Sequence, residues 1–174
     1  MARDLSAGQW EQVQVQLKAA AQDMKASLAL DPRPVLSYYV LIDTAGLPCE
    51  RSSLDEYFRQ AAVSVPHSKL LFNRQMHYLK PRWCGSNAEM EQFIAQAGSS
   101  GMSAEAVQQL RAIAEDDLGR TLLDANLEEQ GVRHVARGAE LGQPYGAEFR
   151  RESLFALEEF ACKLPGLKQY CAKA

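Results

Sequence analysis

Three histidines and four cysteines are the side chains of this 174-residue chain best suited to nucleophilic or metal chemistry, and their spacing argues against most of it. Cys49, Cys84, Cys162 and Cys171 contain no Cys-x-x-Cys pair. His67, His77 and His134 match no ligand spacing with the cysteines or with one another, so no metal site is expected. The nearest approach to a catalytic pair is Cys84 as nucleophile with His77 as base, seven residues apart across a helix end. No third group is placed to orient that imidazole. Glycine-rich nucleotide loops, a His-Glu-x-x-His helix and a Gly-x-Ser-x-Gly elbow do not occur. The sequence therefore names no catalytic residue and no cofactor, and it reads as a non-enzyme. An enzyme of unknown class stays as an alternative.

Binding is the chemistry that the spacing favours. Between Glu56 and Glu89 there is no acidic residue, while Arg59, Lys69, Arg74, Lys80 and Arg82 alternate with Tyr57, Phe58, Phe72, Tyr78 and Trp83. Lys69, Asn73, Arg74 and His77 can project from one helix face, with Arg82 and Trp83 at its end, and these six residues form the candidate partner-binding set. Such a face suits the carboxylates of an acidic protein or peptide through charge-assisted hydrogen bonds. A second charge feature has the opposite sign: Glu115, Asp116, Asp117, Asp124, Glu128 and Glu129 surround a single basic residue, Arg120. That stretch could pair with the basic one inside the protein or in a homodimer, or it could meet a foreign basic surface. An immunity-type protein is another alternative, in which this acidic stretch or the glycine-rich segment near the C-terminal third blocks the active site of a bacterial toxin.

Helices must position these residues, because apolar side chains recur at steps of three and four along most of the chain. The first helix carries Trp10, Val13, Leu17, Ala20, Met24 and Leu28 and stops before Asp31-Pro32-Arg33-Pro34. A second follows Pro34 and closes at Gly46-Leu47-Pro48. The third is expected to open at Ser52 or Ser53, with Ser53 and Glu56 as a capping box, and Pro66 ends it. The fourth runs from about Ser68 to Leu79. Ser86 with Glu89 caps the fifth, which ends at Gly98-Ser99-Ser100-Gly101, and Ser103 starts the sixth. From about 124 to 146 the pattern weakens: Gly131, Gly138, Gly142, Gly146 and Pro144 predict an irregular surface segment over 130–147, with at most a short helix from Leu127 to Ala136. A last helix over about Ala147–Leu164 and a short tail helix around Leu167 and Tyr170 complete an all-α reading.

Two of these spacings repeat. Pro32 and Pro66 stand 34 residues apart, as do Ser52 and Ser86, and 34 residues is the length of a tetratricopeptide helix pair. Small residues at Ala61, Ala88 and Ala95 would let paired helices approach closely. The stretch His77-Tyr78-Leu79-Lys80-Pro81-Arg82-Trp83-Cys84-Gly85-Ser86 resembles the Pro-Arg/Lys-Trp-Gly-Gly-Ser signature of an uncharacterised bacterial family of tetratricopeptide-like helical proteins, a domain of unknown function. The resemblance covers about residues 10–100, and Cys84 stands where the family has the first glycine. It implies antiparallel helix pairs in a short solenoid or compact bundle, and no particular activity. Trp83 is expected either to plug the top of a helix pair or to stand at a recognition corner.

Composition agrees with a single domain over 1–174, with a repeat-like core at 10–100 and additional helices over 101–174. The chain carries 19 basic and 22 acidic residues for a net charge of -3, which draws it to neither nucleic acid nor an anionic membrane. The balance is uneven along its length: residues 1–87 hold 10 basic and 8 acidic side chains, residues 88–174 hold 9 and 14. No run of 18 apolar residues exists and the first residues lack an apolar signal core, so the expected compartment is the cytoplasm. Reduced thiols follow from that expectation, although a turn at Pro165-Gly166 could bring Cys162 to Cys171.

Overall fold

A computed structural model describes residues 5–142, 157, 160–163 and 168–171 of the chain. Every regular element among them is helical: α1 (Ala7–Leu30), α2 (Val35–Gly46), α3 (Arg51–Ser64), α4 (Lys69–Tyr78), α5 (Asn87–Ser99), α6 (Ala104–Asp124), α7 (Glu128–Gly142) and α8 (Lys168–Cys171). The class is all-α. None of the described helices is long and apolar enough to cross a membrane. The chain divides into two compact units, Met1–Gly85 and Ser86–Ala174, the second opening at Ser86, the N-cap of α5.

In the first unit, links of four residues fold each helix back beside the last, as short connections between helices require. The α2 sequence VLSYYVLIDTAG is apolar on nearly every face, which suits a helix enclosed by neighbours. Accordingly α1, α3 and α4 all pack on it. Leu41, Ile42 and Ala45 of α2 meet Leu54, Phe58 and Ala61 of α3 and Leu71, Phe72 and Met76 of α4 in the buried core. Phe58 and Phe72 meet edge to face at 5.0 Å, a favoured aromatic geometry. Tyr38, buried at the start of α2, donates its hydroxyl to Ser64 Oγ at 2.9 Å, tying that end to the last residue of α3.

Several sequence expectations hold at their stated residues. α1 stops at Asp31, α2 follows Pro34 and ends at Gly46, and Ser86 and Ser103 accept from the backbone N–H of Glu89 and Ala106. α1 also carries a capping box that the sequence reading passed over, Ser6 with Gln9. The box expected at Ser53 and Glu56 does not form. A backbone turn with Cys49 at φ 60° brings the Glu50 N–H to the Ala45 carbonyl at 2.8 Å, and α3 opens earlier, at Arg51. Ser52 therefore does not mirror Ser86. Of the three small residues thought to line helix contacts, Ala61 is buried and Ala88 and Ala95 are exposed.

In the second unit the largest correction concerns the glycine-rich segment. Residues 128–142 form a continuous helix, α7, and not an irregular loop; residues 143–147 lie outside the described ones. Glycine lowers helix propensity by about 1 kcal/mol per residue, which is why the sequence pattern looked broken. Packing overrides that cost. A Cβ on Gly119 would sit 2.7 Å from the Val135 backbone nitrogen and 2.8 Å from the Gly131 carbonyl oxygen; one on Gly138 would sit 2.9 Å from the Asp116 nitrogen. The glycines let the α6 and α7 backbones nearly touch. Val132, Val135, Ala136 and Ala139 of α7 join Leu123, Leu157 and Ala161 in one apolar cluster. Most of the helix expected over 147–164 falls outside the described residues, although Leu157, Phe160 and Ala161 are helical. The tail helix is present as α8 with Tyr170; Leu167 lies outside the described residues.

A glycine-to-alanine exchange should therefore have opposite signs at two helical sites. Gly98, with nothing within 4 Å of an added Cβ, gains up to about 1 kcal/mol as Gly98→Ala. Gly119→Ala loses about 1–3 kcal/mol through overpacking against backbone. Urea denaturation followed by helical circular dichroism measures both.

Candidate functional site

The candidate face is built around α2's one carboxylate. Asp43 is the sole acidic residue between Asp31 and Glu50, placed on an otherwise apolar helix where a charge must find a partner. Arg74 of α4 supplies it: its Nε donates to Asp43 Oδ1, and both side chains are 23% exposed. Tyr78, one turn further along α4 and fully buried, donates its hydroxyl to the same Asp43 oxygen at 3.2 Å. That hydroxyl in turn accepts from Arg74 Nη2 at 3.1 Å. The guanidinium carbon stands 5.0 Å from the ring centres of both Tyr39 and Tyr78, so the cation lies between two aromatic faces. Burial works against the Arg74 charge, but the Asp43 carboxylate more than offsets it and holds the pKa above its ordinary value. Burial first, and then the Asp43 charge, pushes the Tyr78 hydroxyl well above the usual phenol range. This cluster is closed upon itself.

Gly46 ends α2 directly against the Tyr78 ring, where a Cβ would come within 2.5 Å of ring carbons. The chain leaving α4 then turns back over this junction. Trp83 N–H donates to the Lys80 carbonyl at 2.9 Å and Cys84 N–H to the Tyr78 carbonyl at 3.2 Å. Arg51 at the start of α3 donates to the Cys84 carbonyl at 3.2 Å. Cys84 is joined to Cys49 in the turn before α3, with Cα atoms 5.5 Å apart, and Cys162 is joined to Cys171 with Cα atoms 4.9 Å apart. Both separations lie in the usual disulfide range. The expected reduced thiols are thus corrected. Cysteines 35 positions apart carry no pairing signal in sequence until the fold brings two turns together.

His77 and Trp83 form the outer part of the site. Their ring centres are 5.1 Å apart, and each ring also meets Tyr78, at 5.1 Å and 5.9 Å. Trp83 is half-buried, with one side of its ring packed on His77 and Tyr78. Burial lowers the His77 pKa to about 4, assisted by the nearby charges of Lys80, Arg74 and Arg82. At neutral pH the imidazole is uncharged and surrounded by cations.

The six residues picked from sequence are therefore not one set. Lys69, Asn73 and His77 lie at four-residue steps on α4 and share a face, and Lys80 follows in the turn just beyond the C-cap, Leu79. Arg82 is exposed on the following turn, beside Trp83. Arg74 is withdrawn from this face into its contacts with Asp43 and Tyr78. Sequence reading missed Asp43, Tyr39 and Tyr78 as the support of the site; a lone carboxylate within an apolar helix was the available signal. For the Cys84 and His77 pair, the sulfur bonded to Cys49 leaves no thiol for the imidazole to activate. No group of three His, Cys, Asp or Glu side chains is gathered to hold a metal among the described residues.

The acidic stretch differs from its sequence reading as well. Glu115 contacts His134 Nδ1 at 2.7 Å and Arg137 Nε at 3.1 Å across α6 and α7. Asp116, 6% exposed, accepts from Arg120 Nε at 2.8 Å, and Asp117 is 2% exposed. Three of the six acidic residues thus belong to the inside of the second unit or to its helix–helix contact, while Asp124, Glu128 and Glu129 face water.

Comparison of the chain with protein-family models, with curated proteins and with solved structures finds no match.

Two measurements examine the support of the site. Asp43→Ala leaves the Arg74 charge half-buried and alone, and should cost about 2–3 kcal/mol; adding Arg74→Met should recover part of that loss, measured as a double-mutant cycle in urea. His77 gives a pH signature. Its folded pKa of about 4 lies below the unfolded value near 6.5, so the unfolded chain binds the proton more readily. Its contribution is complete above pH 6.5 and is lost as pH falls towards 4. For a partly exposed ring this amounts to on the order of 1–2 kcal/mol, and His77→Gln should flatten the stability profile between those values by that amount.

Proposed function

We propose that this chain acts by binding another protein, and that the contact surface lies on residues 67–83, presenting Lys69, Asn73, His77, Arg82 and Trp83 with Lys80. One observation carries the reading: a face on one helix and its following turn gathers cations around an uncharged imidazole and an indole, in a stretch of 32 residues without an acidic side chain. The backing is fixed by the Asp43–Arg74–Tyr78 contacts and by the Cys49–Cys84 link, so little ordering is left to be done on binding. The partner that suits this face is a protein or peptide with acidic side chains beside an apolar or aromatic one. Carboxylates would meet Lys69, Lys80 and Arg82, and the apolar group would meet Trp83.

We further propose that the helices of the first unit are tetratricopeptide-like pairs. Four-residue links and the packing of α2 on both α1 and α3 support this reading. The immunity-type alternative has less support, because Glu115, Asp116 and Asp117 of the acidic stretch are engaged within the second unit and the glycines at 131 and 138 are packed between α6 and α7.

The test is quantitative affinity capture with the wild-type chain and a Lys69→Glu/Arg82→Glu/Trp83→Ala variant, Arg74 being left intact because its reversal would break the pair with Asp43. Recovery of partners held by this face should drop more than tenfold while the variant keeps its helical circular dichroism, its melting temperature being lowered only by the lost packing of Trp83 on His77 and Tyr78. Equal recovery of every partner by a folded variant refutes the reading.

A further inference from the structure

The Cys49–Cys84 link joins two turns, and neither cysteine lies inside a helix. Cys49 is exposed, whereas Cys84 is half-buried. At the end of α2 the Glu50 N–H meets the Ala45 carbonyl at 2.8 Å and the Cys49 N–H meets the Gly46 carbonyl at 3.1 Å, a paired closure that puts one residue in the left-handed region. That residue is Cys49, at φ 60°. Glycine takes such a position without steric penalty, so the cysteine stands there against its backbone preference, and what it adds is an exposed sulfur.

Cys84 has different surroundings. Its sulfur lies 3.4 Å from the Gly46 carbonyl oxygen, and its own carbonyl accepts at 3.2 Å from Arg51, a side chain that Asp55 shares. Lys80 and Arg82 precede it in the same turn. A negative charge at Cys84 therefore forms among cations. In thiol–disulfide exchange the accessible sulfur is attacked and the better-stabilised one leaves, which gives the two cysteines unequal parts.

We infer that Cys49–Cys84 is a reversible redox site, opened by a small thiol of the glutathione class. The incoming thiolate bonds to the Cys49 sulfur, the bond between the cysteines breaks, and its electron pair departs as the Cys84 thiolate. A second small thiol attacks the mixed disulfide, forming the small-molecule disulfide and releasing Cys49. The protons of the two small thiols end on the two cysteines, and the small-molecule disulfide drives the reverse reaction. Opening removes the covalent tie between the end of α2 and the turn after α4, while the Cys84 and Gly85 N–H groups keep the Tyr78 and Lys80 carbonyls. Trp83, next to Cys84 and with its carbonyl oxygen 3.9 Å from the Cys49 sulfur, is then free to leave His77 and Tyr78. Any effect on partner binding rests on the reading of the α4 face proposed above; the redox step does not.

Cys162–Cys171 is the internal comparison, since both its cysteines are half-buried, beside Ala161 and Tyr170 of the apolar cluster in the second unit. The oxidised full-length Trp10→Phe variant, in which Trp83 is the remaining tryptophan, is treated with reduced glutathione, trapped with N-ethylmaleimide and mapped by mass spectrometry. The transient glutathione adduct should fall on Cys49 with maleimide on Cys84, and this pair should open about tenfold faster than Cys162–Cys171. Acrylamide quenching of Trp83 should rise about twofold as the pair opens and return with oxidised glutathione, at unchanged helical circular dichroism. Cys49→Ser/Cys84→Ser should show the raised quenching in either glutathione state, and Cys162→Ser/Cys171→Ser should keep the response. Adducts on Cys84 alone, equal opening of the two pairs, no re-formation with oxidised glutathione, or unmoved Trp83 quenching overturns the inference. Loss of helix on reduction does so too, because the bond is then a structural staple. No readout needs a partner, so failure here and failure of the α4 face as a contact surface are separate outcomes.

Discussion

A helix with apolar side chains on nearly all its faces can persist in water only if other helices surround it, and α2 imposes that constraint on the first unit. α1, α3 and α4 are arranged by the need to cover it. Asp43 adds a second condition, because a carboxylate on such a helix has to meet a cation before it can be partly withdrawn from solvent. Arg74 meets it from α4, and the aromatic faces of Tyr39 and Tyr78 hold the guanidinium in place. Rotation of α4 is thereby fixed. With Arg74 turned inward, Lys69, Asn73 and His77 must occupy the neighbouring face, and the turn through Trp83 has to pass over the helix ends where Gly46 leaves room for Tyr78. The proposed contact surface is thus a by-product of how one buried charge is neutralised.

The same logic explains why none of the residues of α1 is fully buried. Three helices cannot all close around a fourth and also close on one another. Contact between α3 and α4 is made through Phe58 and Phe72, while α1 rests against α2. An enclosed core and an outer helix without a fully buried residue are complementary results of a single packing problem.

Helix identity was legible in the sequence because periodicity, prolines and serine caps all act locally. Leu30, Gly46 and Ser86 lie at the expected ends for that reason. Pairings across the fold were less legible. Asp43 and Arg74 are 31 positions apart, Cys49 and Cys84 are 35 apart, and nothing local announces either pair. Arg74 looked like a member of the binding face because its spacing alone places it one residue from Asn73; only the position of α2 turns it away. The reading of 128–142 failed for the opposite reason. Local propensity was read correctly, and tertiary packing reversed its meaning, since glycines that weaken an isolated helix allow two backbones to meet. Glu115 to Asp117 followed suit: a run of acids reads as a wet surface until a second helix brings His134 and Arg137 to Glu115.

The glycines of α6 and α7 also work as a key. Gly131 lies against Gly119, and Gly138, two turns further along α7, lies against the backbone around Asp116. If α7 slid along α6 by a single turn, about 5.4 Å, Val135 or Leu127 would arrive where only a hydrogen atom fits. A smooth apolar stripe tolerates such sliding, because one leucine replaces another. Notches cut in both helices do not, so the alignment of α6 with α7 is decided by where side chains are missing.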